Sequence, residues 1–113
     1  MLFRSGCFSL YDPRAKILFT GDIGAALFPK GKRYPVVTDF EAHLPYMEGF
    51  HRRYMASNAA CRSWVRSVRS LDVETIAPQH GAIIQGRENV GKFLSWFEGI
   101  RCGTDIIDQI YGR

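Results

Sequence analysis

The tract Ile76-Ala77-Pro78-Gln79-His80-Gly81 constrains what this chain can fold into. Pro78 fixes its own φ and biases Ala77 toward extended backbone. Gly81 allows the chain to leave sharply. The tract therefore reads as a short buried strand that ends in a rigid turn, with a histidine at the tip. A histidine on such a strand-to-helix loop can point into a cleft as a metal ligand or general base. The competing reading is a core histidine in a tight turn, which a motif this short favours when it stands alone.

It does not stand alone. Near the N-terminus, Lys16-Ile17-Leu18-Phe19-Thr20-Gly21-Asp22-Ile23-Gly24 is an apolar, β-rich run that ends at Gly-Asp, with another glycine two residues on. A strand that delivers a carboxylate to an edge kept open by glycines suits a metal ligand or a general base. Gly-Asp is also a common turn dipeptide. Upstream, Phe8-Ser9-Leu10-Tyr11 alternates apolar and polar residues before a turn at Asp12-Pro13. The two runs read together as a β-hairpin.

Three phrases of this sequence, F-x-x-Y-D-P-x-x-K-I-L-F-T-G-D-I-G-A-A-L, H-x-x-Y-M-x-S-N-x-A and I-A-P-Q-H-G-A-I-I, resemble the metallo-β-lactamase fold. More narrowly, they are similar to the β-lactamase-like domain of flavodiiron proteins and of flavin-free, oxygen-binding diiron proteins. The resemblance runs from about Phe3 to about Trp96. It implies that Asp22 bridges two metal ions and that His80 caps one of them. It also implies non-haem iron as cofactor, with zinc as the alternative, and a parental activity of binding or reducing dioxygen or nitric oxide. The family's first metal motif, H-x-(E/H)-x-D, is not found in these 113 residues. Phe3 or Arg4 stands where a further histidine ligand is expected. Residues 1–113 are accordingly expected to be the C-terminal half of such a domain.

A catalytic transition-metal site needs about three protein ligands per ion plus an open position. Asp22 and His80 supply two. Cys7 lies near the missing histidine and could donate a thiolate, although a free cysteine is more often a small buried apolar residue. The chain alone is expected to bind metal weakly and to be incomplete or inactive. The alternatives are a zinc hydrolase half-domain and a non-catalytic interaction module on the same scaffold. Carboxylate and imidazole suit iron, zinc and manganese alike, so the ligands do not choose among them.

The remaining patterns are helical. Phe40, Leu44, Met47, His51 and Tyr54 recur at helical spacing, and Pro45 suggests a helix that starts near Leu44. His43 and His51 read as core histidines, since eight residues on a helix put them about 12 Å apart, too far to share an ion. Ser57 is a candidate N-cap. Cys61, Trp64, Val65, Val68 and Leu71 form one apolar face, with Arg62, Arg66 and Arg69 on another. Val90, Phe93, Leu94, Phe97 and Ile100 mark a further amphipathic helix, from whose stripe Trp96 departs toward a covered or partner-contacting surface. A short capped helix or docking tail is expected over Thr104–Tyr111.

Composition narrows the partners. With 15 Lys+Arg against 11 Asp+Glu the net charge is +4, and no aromatic stacking platform accompanies the arginines, which argues against nucleic acid. No apolar run reaches membrane-span length. Three widely spaced cysteines argue against a disulfide framework and for a reducing, cytoplasmic compartment. The expected architecture is α/β, a partial metallo-β-lactamase-like αββα sandwich: a short, mainly antiparallel sheet with helices on one face. Its uncovered sheet face calls for an N-terminal half-domain, a homo-oligomer or repacking.

Overall fold

In the computed structural model, which describes residues 9–107, β1 (Leu10–Asp12) folds back antiparallel on β2 (Ile17–Gly21). The Asp12 carboxylate accepts the Arg14 and Ala15 backbone N–H groups at 2.9 and 3.3 Å. This side-chain turn, with Lys16 at φ 58°, closes the hairpin. The hairpin read from the sequence is thus formed. Cys7, Phe3, Arg4 and the tail beyond residue 107 lie outside the described residues.

Beyond the hairpin, β2 pairs in parallel with β4 (Thr75–Pro78), and β4 pairs antiparallel with β5 (Ile83–Gln85). The short β3 (Val36–Val37) pairs in parallel with β5, giving the order β1-β2-β4-β5-β3. The sheet is therefore mixed rather than mainly antiparallel. The cause lies between β2 and β4, where two helices return the chain to the end from which β2 began, as a parallel pairing requires.

Those helices are α1 (Phe40–Tyr54) and α2 (Asn58–Arg69). α1 begins four residues before the expected start. Asp39 is the N-cap, its carboxylate accepting the Ala42 N–H, so the helix is nucleated upstream and Pro45 falls inside it. Ser57 caps α2 as expected, accepting the Ala60 N–H at 3.2 Å. α3 (Arg87–Gly99) follows β5, and a 3-10 turn (Gly103–Ile106) packs against the junction of α1 and α2.

Strand alternation separates the two faces of the sheet. Leu18, Ile76, Ile84 and Val37 are buried with Val65, Val68, Phe93 and Phe97 of the helices in one core. Each such large side chain contributes about 1.5–3 kcal/mol by leaving water. Among the described residues the opposite face has no comparable cover. Leu10 is 66% exposed, Phe19 48% and Ile83 39%. Leu10 and Phe19 are direct cross-strand partners. Trp96, the residue that departs from the α3 stripe, is half-buried and packs edge-on against the His51 ring. The arginines of α2 are solvent-exposed, and Arg69 holds Glu98 at 2.8 Å.

Candidate functional site

Asp22 and His80 come to one edge of the sheet because β2 and β4 are adjacent and parallel, so their carboxyl ends share a side. Gly21 pairs with Pro78, and the Gln79 N–H donates to the Gly21 carbonyl at 2.7 Å. Asp22 and His80 each follow directly from that pairing. Clefts outside the carboxyl ends of adjacent parallel strands are where open α/β sheets bind ligands. Both residues are solvent-exposed.

Three glycines shape this edge. Gly21 has φ 63° and Gly24 φ 95°, conformations that turn the chain immediately before and after the Asp22 segment. Gly81 has φ 113°, and a Cβ there would lie 2.6 Å from the Ala26 nitrogen. The two loops touch at that point, so a side chain at residue 81 would push them apart.

His80 lines an open cavity of about 310 Å³ with Arg33, Gln79 and the 26–28 segment. Asp22 is not part of its wall. Among the described residues, no three histidine, cysteine, aspartate or glutamate side chains gather into a metal-holding cluster. One carboxylate and one imidazole at the same edge match a metal site in donor chemistry but fall short of it in number.

The sequence missed how the Asp22 loop is held. His51 is fully buried on α1. The Gly24 N–H donates to its Nε2 at 2.8 Å, so Nε2 carries no proton. The proton is on Nδ1, which donates to the Met47 carbonyl at 2.7 Å. Burial pushes this imidazole down to about 4, against smaller opposing effects of the Met47 carbonyl and the Asp22 charge. His51 is thus a neutral strut between α1 and the Gly-Asp loop. Reading it as a core histidine was correct, but no sequence spacing links residues 51 and 24.

His43 is the second buried histidine of α1. Its Nδ1 lies 2.5 Å from the Tyr34 hydroxyl, within a ring of Phe28, Tyr34 and Tyr46. Among the described residues its Nε2 has no hydrogen-bond partner. Burial lowers its pKa as well.

The family model described as "ODP family beta lactamase" matches residues 1–81. Two structures of a chemotaxis sensor, ODP, are 54% identical to this chain over 91% of its length. One is of the peroxy diiron species, with a TM-score of 0.85. The other is of the apo state from T. denticola, with a TM-score of 0.83. The chain spans 43% and 42% of those two structures. A mutant flavo di-iron protein from Thermotoga maritima is 20% identical over 74% of this chain, with a TM-score of 0.57, and shares the fold. No curated protein matches.

Proposed function

The chain belongs to the ODP family of beta-lactamase-like proteins, and from that premise we propose that it is one half of a diiron domain that binds dioxygen. The observation that carries this reading is the side-by-side delivery of Asp22 and His80 at the carboxyl ends of β2 and β4. The chain's 54% identity to a diiron sensor supports it. Asp22 would offer a carboxylate shared between two ions, and His80 an imidazole to one of them. Bound iron would supply reversible binding and reduction of dioxygen. The chain's own residues supply the rest. His51 fixes the backbone that carries Asp22, the glycines leave the edge open, and Arg33 with Gln79 gives the His80 cavity its polar wall.

Two ligands do not hold two ions, so the remaining donors come from the part of an ODP-type domain that this chain does not span. We take that part to be the N-terminal half, packed against the exposed sheet face that carries Leu10, Phe19 and Ile83. The zinc reading gains nothing from the comparisons, whose named metal is iron.

Anaerobic Fe(II) titration, with the chain alone and mixed with a polypeptide covering the rest of an ODP domain, tests the proposal. Weak binding alone and tight binding of two irons by the mixture are expected. Asp22→Asn and His80→Gln should each weaken binding by at least about tenfold, the loss of one ligand. If the double variant assembles with the complement and binds two irons as tightly as the parent, Asp22 and His80 are not ligands.

A further inference from the structure

Two of the three cysteines, 41 residues apart in sequence, meet inside the fold. Cys61 lies in the first turn of α2 and Cys102 immediately precedes the 3-10 turn, and their Sγ atoms are 3.8 Å apart. Both are buried, and at this separation no disulfide joins them. Their approach is fixed from both sides. Asn58 Nδ2 donates to the Glu98 and Ile100 carbonyls at 2.9 and 2.7 Å. The Asp105 carboxylate accepts the backbone N–H groups of Asn58 and Cys102 at 2.6 and 3.2 Å. Gly103 presses against the Met55 and Ala56 carbonyls, a place where no Cβ fits. A sulfur–sulfur bond is about 2.05 Å long, so the pair has to close by less than about 2 Å to form one.

The two sulfurs differ in access. Cys61 lines a cavity of about 40 Å³ together with Tyr54, Met55, Ala60 and Trp64. Tyr54, at its rim, is 65% exposed. A single water needs about 10–15 Å³ measured this way, so the cavity has room for two bonded oxygen atoms. Cys61 also lies at the amino end of α2, where the helix dipole favours an anion. Cys102 does not line the cavity, and burial, aided by the Asp105 charge, pushes its thiol up against the smaller opposing effect of the Cys61 hydrogen bond.

We propose that Cys61 and Cys102 form an oxidisable dithiol whose substrate is hydrogen peroxide. The Cys61 thiolate attacks one peroxide oxygen and the O–O bond breaks. The departing hydroxide takes up a proton and leaves as water, and Cys61 becomes a sulfenic acid. The Cys102 thiolate then attacks the Cys61 sulfur, the S–O bond breaks, and a second water leaves. Two thiols lose two electrons and two protons, and one peroxide becomes two waters. The product is a disulfide that ties α2 to the C-terminal turn. This inference stands apart from the diiron reading and needs no metal.

The test treats the metal-free chain with hydrogen peroxide, then unfolds it and alkylates the remaining thiols. Of the three thiols in the sequence one should remain, that of Cys7, and a digest should contain a Cys61–Cys102 cross-linked peptide. Closing a loop of this length should raise Tm on the order of 10 °C, reversed by dithiothreitol. In Cys102→Ala, the sulfenic acid on Cys61 should be trapped by a dimedone probe. In Cys61→Ala, Cys102 should stay a thiol under the same dose. If the parent chain keeps Cys61 and Cys102 alkylatable while Cys7 is consumed, or links Cys7 to either of them, the proposal is wrong.

Discussion

The Gly24 amide donates its hydrogen to Nε2 of His51 across 27 positions of sequence, fastening the loop that carries Asp22 to the middle of α1. This bond needs a neutral ring, and the ring's surroundings keep it neutral: the folded pKa is about 4 against 6.5 for the exposed side chain. The unfolded chain therefore binds the extra proton first. Stability from His51 is complete above pH 6.5 and is lost as pH falls from there toward 4. At about 1.36 kcal/mol per pKa unit the loss is about 3 kcal/mol. His43, also lowered by burial, works in the same direction. Urea unfolding from pH 7 to pH 4 should show this decline. His51→Gln keeps an acceptor for Gly24 without a titrating ring, so its stability should fall less steeply over the same interval. An equal slope in both proteins would remove His51 from the account.

Gly81 and Gly86 both have positive φ, 113° and 93°, but only Gly81 has a neighbour in the way. Alanine at either position costs on the order of 1–3 kcal/mol in backbone strain. At residue 81 the Ala26 nitrogen adds a clash, whereas at residue 86 nothing among the described residues lies within 4 Å. Gly81→Ala should therefore destabilise the chain by about 1 kcal/mol or more beyond Gly86→Ala. It should also shift the amide resonances of residues 25–27. Equal costs would mean that the loops bearing Asp22 and His80 are not in contact there.

These contrasts show what a sequence discloses. The Gly-Asp strand end and the Pro-x-His-Gly strand end were legible because each is a local pattern, and their meeting follows from placing two apolar strands in one sheet. The apolar stripes of α2 and α3 were legible for the same reason. Long-range matches were not. Nothing local to His51 names Gly24, and nothing local to Cys61 names Cys102. The parallel pairing of β2 with β4 depends on where α1 and α2 deliver the chain. Pro45 points to a start of α1 near Leu44 because the first turn is its commonest position, whereas the Asp39 cap, five residues upstream of Leu44, sets the start at Phe40.

The start of α1 gives a test of its own. If α1 began at Leu44, Pro45 would occupy the first helical position, its most comfortable place, and Asp39 would be loop. With the helix starting at Phe40, Pro45 removes the bond its amide would give to the Glu41 carbonyl. Asp39→Ala should then cost about 1 kcal/mol through the lost cap. Pro45→Ala, at an exposed position, should be stabilising by about 1 kcal/mol or more. Chemical denaturation of the two variants distinguishes the arrangements, since a late helix start predicts no cost for the first and no gain for the second.

The exposed sheet face makes the final prediction. Leu10 and Phe19 sit opposite one another on β1 and β2, and Ile83 lies on the same face beyond β4. Apolar area left in water forgoes roughly 25 cal/mol per Å², and association recovers it. The chain alone should therefore self-associate at micromolar concentration, or bind an apolar dye, until a complementing half covers that face. Replacing both residues with threonine keeps β-propensity and removes the apolar surface. The double variant Leu10→Thr, Phe19→Thr should sediment closer to a monomer and bind less dye. Because neither side chain is in the core, its unfolding free energy should change by less than about 1 kcal/mol. It should also lose affinity for the complementing half, while its surface arginines remain unchanged. A parent chain that sediments as a sharp monomer, binds no dye and is unaffected by the double substitution would show that this face needs no cover, and the half-sandwich reading would fall with it.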